Sequence, residues 1–181
     1  MTTKIFLTGL NSIDKIVFAK AIVDLDDDLS ISQRFTNDVK FKDTPYDEYI
    51  FYLDSVDVDI SYKNNAFLFI NADDTLYTGI TLDSFYNEDV FCMNITEFNN
   101  VPDYIFEIND ILVVWLDTKI NKTKDKENKE ELLGIKHFLE RIEKMNVLYF
   151  LNETPEKVAN VVLKYLESSF EDKQKILDEN Y

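Results

Sequence analysis

The residues with the clearest chemical potential stand at the start of the chain, where Thr3-Lys4-Ile5-Phe6-Leu7-Thr8 runs into Gly9 and Lys15 follows. An apolar run ending in glycine reads as a buried strand. Residues 14–24 then place Val17, Phe18, Ala21 and Ile22 on one helical face. Strand, glycine turn and helix in that order begin an α/β unit that binds phosphate, because the turn and the helix N-terminus offer backbone N–H groups to an anion. Asp14 and Ile16 flank Lys15. A carboxylate beside the expected phosphate opposes that chemistry directly.

Other reactive residue types are sparse. Cys92 is the single cysteine and sits in an apolar run, so it reads as a small buried hydrophobe rather than a nucleophile. His137 is the single histidine, in a helical pattern and without a thiol cluster, so no zinc site is expected. Asp24, Asp26, Asp27 and Asp28 lack the spaced ligands and central glycine of a calcium loop. They read as solvated surface, as do Asp73 and Asp74. No metal site is expected.

The elements that must position these groups alternate along the chain. Short strands are expected at Leu29–Ser32, residues 48–53 and residues 66–70, with Tyr62–Asn65 closing a helical turn. Residues 82–87 suit a short helix and Val90–Ile95 an apolar strand. Ile111-Leu112-Val113-Val114-Trp115-Leu116 is the clearest buried strand. Leu132, Ile135, Leu139 and Ile142 recur at helical spacing, and residues 147–151 form a last strand. Thr154-Pro155-Glu156 supplies an N-cap, a first-turn proline and an early acid for a helix that buries Val158, Val161, Val162, Tyr165 and Leu166. Residues from about 171 onward are charged and are expected to fray. The alternation predicts a mainly parallel sheet covered on both faces. The clustered short strands of residues 35–90 predict an insertion carrying a small sheet of its own.

Composition bounds the function. The chain has 181 residues, 45% of them hydrophobic and 14% aromatic, which suits one domain with a real core. Its net charge of −16, from 35 acidic and 19 basic residues, repels nucleic-acid phosphates and anionic lipid. Neither nucleic acid nor membrane is an expected partner. No signal peptide or long apolar run is evident, so a soluble cytoplasmic protein is expected.

The order of motifs resembles guanylate kinase across roughly residues 3–166. Tyr62-Lys63-Asn64-Asn65-Ala66-Phe67-Leu68 is similar to the family's lysine-asparagine-phenylalanine stretch entering its guanine-nucleotide lobe. Glu48-Tyr49-Ile50-Phe51 resembles its Asp-Tyr-x-Phe strand, Tyr77-Thr78-Gly79-Ile80-Thr81 its Tyr-Tyr-Gly turn, and Leu29-Ser30-Ile31-Ser32 its paired-serine strand. The resemblance implies a P-loop nucleotide-kinase fold, with a core at residues 1–34 and 88–170, a small inserted monophosphate-binding lobe at about 35–87 and a lid-like segment at about 119–131. It implies phosphoryl transfer from ATP, with magnesium, to GMP or dGMP. That chemistry asks the protein mainly for alignment and charge neutralisation.

Residue by residue, the resemblance is incomplete. Gly9-Leu10-Asn11-Ser12-Ile13-Asp14-Lys15-Ile16 lies in register with G-x-x-x-x-G-K-[ST], keeping Gly9 and Lys15. The ATP-loop candidates are therefore Gly9, Asn11, Ser12 and Lys15, although Asp14 replaces a glycine and Ile16 the magnesium-binding hydroxyl. Lys15 reads either as a phosphate contact or, preferably, as a relic on a helix surface. Tyr49, Tyr77 and Asn94 match monophosphate- and base-side positions, while Phe69 replaces the glutamate that reads guanine. The family's phosphate arginine falls at Thr36, with Arg34 the nearest substitute. The lid carries Lys119, Lys122, Lys124, Lys126 and Lys129 but no arginine, and lysine lacks the bidentate fork. Arg141 is the candidate for the later lid-helix arginine. Lys15, Arg34 and Arg141 are thus the candidate catalytic residues.

These losses favour a catalytically weakened or inactive guanylate kinase-like protein retained as an interaction module, with a basic protein as partner. The alternatives are an active, divergent nucleoside monophosphate kinase, which alone would require ATP and magnesium, and a structural subunit of a larger assembly.

Overall fold

A computed structural model describes residues 3–9, 13–42, 49–108, 110–117, 128–143 and 145–180. The apolar runs become the centre of a four-stranded parallel sheet. Strand β1 (Lys4–Gly9) enters first and is followed by helix α1 (Lys15–Val23). In the inserted region come β2 (Arg34–Thr36), β3 (Ile50–Tyr52), α2 (Ser55–Lys63), β4 (Phe67–Asp73), β5 (Leu76–Thr81) and α3 (Leu82–Asn87). The chain returns through β6 (Val90–Cys92), α4 (Ile95–Asn100), α5 (Asp103–Ile108), β7 (Ile111–Asp117), α6 (Asn128–Ile142), β8 (Asn146–Leu151), α7 (Pro155–Glu167) and α8 (Phe170–Glu179).

The sheet order is β6-β1-β7-β8, and Ile31 makes an isolated parallel bridge to Val90 beyond β6. Side chains alternate strictly between the two faces. Ile5, Leu7, Leu112, Val114 and Leu116 enter a core shared with α1, α7 and α8. Phe6, Val113 and Trp115 enter a second core, shared with α3 to α6 and dense in aromatic rings. There Phe6 meets Phe91 edge-on at 5.3 Å and Trp115 meets Phe138 at 4.5 Å. Strands buried on both faces favour apolar residues on both sides, which is why Ile5-Phe6-Leu7 of β1 and residues 111–116 of β7 are continuous apolar runs.

The insertion forms a separate sheet of order β3-β2-β5-β4. Only the β2–β3 pair is parallel; β4 and β5 form an antiparallel hairpin that joins β2. Tyr77-Thr78-Gly79, expected as a turn, is instead the middle of β5. A side chain at Gly79 would lie 2.3 Å from the Phe69 carbonyl oxygen, so glycine here permits close strand pairing.

Several expected elements shift. Of Leu29–Ser32, only Ile31 pairs. The run from Val90 stops being a strand at Cys92, because Asn94 caps α4 and Ile95 begins it. In α1 the buried face is Lys15, Ala19 and Ile22, while Val17 is exposed. A helix apolar on most sides carries little periodic information about which side faces the core. Among the described side chains of α6 Phe138 is fully buried and Leu139 is 55% exposed, while those of Leu132 and Ile135 lie outside the described residues. The helix from Pro155 follows its sequence signals, with the Thr154 hydroxyl accepting the Lys157 N–H at 3.3 Å.

The expected fraying beyond residue 171 is also corrected. Ser169 caps α8, Ile176 is buried in the first core, and the Tyr149 N–H donates to the Asn180 carbonyl at 2.7 Å. Buried Ile176, with Leu177 packed beside it on the first core, and the bond to the edge strand β8 hold a helix that is otherwise largely charged. Ile176→Ala is expected to lower unfolding free energy by about 2–5 kcal/mol in urea titration; a loss below about 1 kcal/mol would show α8 to be an appendage.

Candidate functional site

A parallel sheet concentrates chemistry outside the C-terminal ends of its strands, where successive connections leave towards opposite faces. Here β1 leads into α1 on one face and β6 into α4 on the other. The crevice between those exits is bounded by Gly9 on one side and Asn94 to Glu97 on the other.

Gly9 has φ +141°, and a side chain there would lie 1.9 Å from the Leu116 carbonyl oxygen. Only glycine fits this strand end. Beyond it, Asp14 caps α1, its carboxylate accepting the Ile16 N–H at 3.1 Å. Ile16 packs against the first core. Lys15, expected on a helix surface, is buried, and its ammonium reaches the Ile13 carbonyl at 3.4 Å. Burial pulls its pKa below the ordinary lysine value, although the Cys92, Glu97 and Asp14 charges oppose that shift and the Arg34 charge adds to it. Cys92, at the end of β6, is buried in the first core within the field of the same groups. Burial pushes its thiol up to about 12 despite the nearby Arg34 and Lys15 cations, which disfavours the reactive thiolate.

The organising group is Glu97, which sequence reasoning missed. Its side chain is 4% exposed and its carboxylate receives four donors. Arg34 grips it with both terminal nitrogens, one to Oε1 and the other to Oε2 at 3.3 Å. The Asn71 amide reaches Oε1 at 3.1 Å, and the Asn94 N–H reaches Oε2 at 2.9 Å. Asn94 in return accepts the Glu97 N–H at 2.8 Å, completing a capping box. Glu97 on α4 is therefore tied to β2 through Arg34 and to β4 through Asn71, joining the second sheet to the core. Asn94-Ile95-Thr96-Glu97 is a legible capping signature. Nothing local marks its partner Arg34.

The other candidates occupy varied settings. Arg34 also lies over the Phe69 ring at 5.9 Å. The Tyr49 ring packs on the first core with the Lys20 ammonium 5.0 Å from its centre. The Tyr77 N–H donates to the Asn37 side chain at 2.6 Å, which fixes β5. Arg141 points elsewhere: it donates to the carbonyls of Phe98 and Asn99 at 2.8 Å each, to that of Val101, and to the Asp103 carboxylate at 2.7 Å. Its guanidinium also covers the Phe106 ring at 4.5 Å. It closes the C-terminus of α4 and binds α6 to α5. Asn11 and Ser12 lie outside the described residues, as do Lys119, Lys122, Lys124 and Lys126; of Lys129 only the backbone, in α6, is described.

This architecture has a solved counterpart. The crystal structure of guanylate kinase from Anaplasma phagocytophilum superposes with a TM-score of 0.52 over 91% of this chain and 84% of that one. The fold is that of a guanylate kinase. At 11% identity the likeness concerns backbone arrangement alone. No protein-family model matches the chain, and no curated protein matches it. Within the guanylate kinase fold, Gly9 ends β1 of the parallel sheet, Lys15 and Glu97 stand on the helices α1 and α4 beside it, and the inserted sheet carries Arg34, Phe69, Asn71 and Tyr77, with Tyr49 just before β3. Among the described residues no cluster of His, Cys, Asp and Glu could hold a metal ion, and no helix is long and apolar enough to cross a membrane.

Proposed function

We propose that this chain is a guanylate kinase-fold binding module that does not transfer phosphate from ATP. The observation that carries this reading is the Asp14 carboxylate bonded to the Ile16 N–H. A helix N-terminus attracts phosphate because its first N–H groups lack partners and the helix dipole is positive there. In α1 a built-in anion already occupies that position, and any phosphate would meet its charge at close range. The engagement of Arg34 by Glu97 supports the same reading, because the arginine nearest an acceptor phosphate is neutralised within the protein. With a net charge of −16, the complementary partner is a basic protein surface.

The competing kinase reading rests on Lys15, which stands at the crevice within the field of Glu97 and Arg34. Calorimetry with magnesium ATP, GMP and dGMP separates the two. The native protein is expected to give no saturable heat with ATP up to about 1 mM, a binding free energy weaker than about −4 kcal/mol. Asp14→Gly removes the carboxylate at a cost of only a few tenths of a kcal/mol in capping and is expected to gain ATP affinity. Native ATP binding that disappears in Lys15→Ala would sink the proposal.

A further inference from the structure

At the opposite, N-terminal edge of the parallel sheet a cleft of about 900 Å³ opens between the end of α6, the start of β8 and the end of α8. Its floor is apolar, formed by Leu139, Ile142, Met145 and Leu177. Ile142 and Met145 belong to the edge of one core and Leu177 to the edge of the other. Leu139 stands more than half exposed on a helix whose neighbour Phe138 is fully buried. The rim is acidic: Glu140, Glu143 and Asp178. Among the described residues lining the cleft none is basic.

Two helix C-termini converge on this cleft, adding the negative ends of their dipoles to the carboxylates. Among the described residues, no basic side chain of either last turn faces the cleft. Helix α8 has no basic residue there, and the last-turn Arg141 of α6 is turned towards the carbonyls that end α4. The rim acids are only loosely engaged. Glu140 meets Lys136 at 3.7 Å with both side chains largely exposed, and Asp178 accepts the Gln174 amide at 3.1 Å.

We infer that this cleft docks a basic amphipathic helix of a partner protein, whose apolar face covers Leu139 and the cleft floor while its flanking Lys or Arg residues meet Glu140, Glu143 and Asp178. An apolar groove of this kind takes an amphipathic helix by its i, i+3, i+4 anchors. The rim decides the sign of the flanks. A second copy of this chain does not suit, because a two-fold contact would set the same acids against each other on two molecules of charge −16. This surface is separate from the crevice at Glu97, and its test does not depend on nucleotide binding.

The test uses the full chain and two fluorescent 18-residue peptides of one leucine pattern at helical spacing, one with lysine at the other positions and one with glutamate. Anisotropy is expected to show saturable binding of the lysine peptide only, weakening as salt rises. Glu140→Lys/Glu143→Lys/Asp178→Lys is expected to weaken it by about tenfold or more, and Leu139→Ser by about tenfold. Asp27→Lys/Asp28→Lys/Asp59→Lys makes the same change in net charge at exposed positions away from the cleft, and should leave affinity within about twofold. Equal losses from the two triple variants would reduce the binding to the general field of the protein and overturn the inference. So would no binding at all, equal binding of both peptides, or self-association that Leu139→Ser abolishes in sedimentation velocity.

Discussion

Glu97→Ala is expected to lower the unfolding free energy by about 3–5 kcal/mol, the usual loss when one partner of a buried ion pair is removed. The carboxylate is nearly excluded from solvent and receives four donors: two from Arg34 and one each from Asn71 and the Asn94 backbone. Removing it strands all four and dissolves the capping box that starts α4. Glu97→Gln keeps the shape but turns an NH2 group towards donors, so most of the loss should persist. Arg34→Ala should cost less, because the arginine side chain is 27% exposed and the carboxylate keeps its other two donors. A double-mutant cycle on Arg34 and Glu97 should give a coupling of about 1–3 kcal/mol in urea unfolding. A coupling near zero, with Glu97→Ala losing under about 1 kcal/mol, would show that the inserted sheet is not held to the core through this carboxylate.

That pair also marks where sequence reading ends. The apolar runs of β1 and β7 are visible because strands buried on both faces favour apolar residues on both sides. Thr154-Pro155-Glu156 announces α7 because capping is local chemistry. Arg34 and Glu97 stand 63 residues apart, and no propensity or period links them. The boundary of α4 is hidden for a different reason. Val90-Phe91-Cys92-Met93 continues as Ile95, so strand and helix form one apolar run, and only Asn94 with Glu97 betrays the change. The clustering of short strands announces an insertion, whereas no local signal marks that β2 and β3 within it pair in parallel. In α1 and α6, surplus apolar residues blur the buried face, so Val17 and Leu139 share the apolar period yet stand exposed.

The candidate site shows a consistent internal economy of charge. The α1 N-terminus meets Asp14, Arg34 meets Glu97, and Asn94 is held in the cap of α4. Each of these described groups already has a partner of suitable polarity within the chain. A site arranged for phosphoryl transfer keeps such donors pointed at an empty position, because they stabilise charge that arrives with the substrate. On the function proposed above, the guanylate kinase fold here carries Asp14, Arg34 and Asn94 already engaged by groups of the chain itself. Fold and activity are separable on physical grounds, since the sheet order depends on apolar burial and the chemistry on a handful of polar contacts.

Gly9→Ala is expected to destabilise the protein by about 4 kcal/mol or more, placing it among the severe single substitutions. The added methyl would lie 1.9 Å from the Leu116 carbonyl oxygen, and the neighbour is backbone, which cannot rotate aside. The residue also holds φ +141°, a conformation that costs an L-residue about 1–3 kcal/mol even without the clash. Strand β1 lies between β6 and β7, so relief by moving its end would disturb ladders on both sides. The melting temperature should fall by roughly 8–16 °C, at about 2–4 °C per kcal/mol for a chain of this size. Glycine at this position is thus required by the sheet itself, whether or not a phosphate ever approaches. Its presence cannot count as a sign of ATP binding, which removes one of the two residues that keep the loop in register with a nucleotide-binding pattern. Should Gly9→Ala melt within about 2 °C of the native protein, equivalent to under about 1 kcal/mol, the strand end tolerates a side chain. Gly9 would then weigh in favour of a phosphate-binding loop, and with Lys15 it would strengthen the kinase reading.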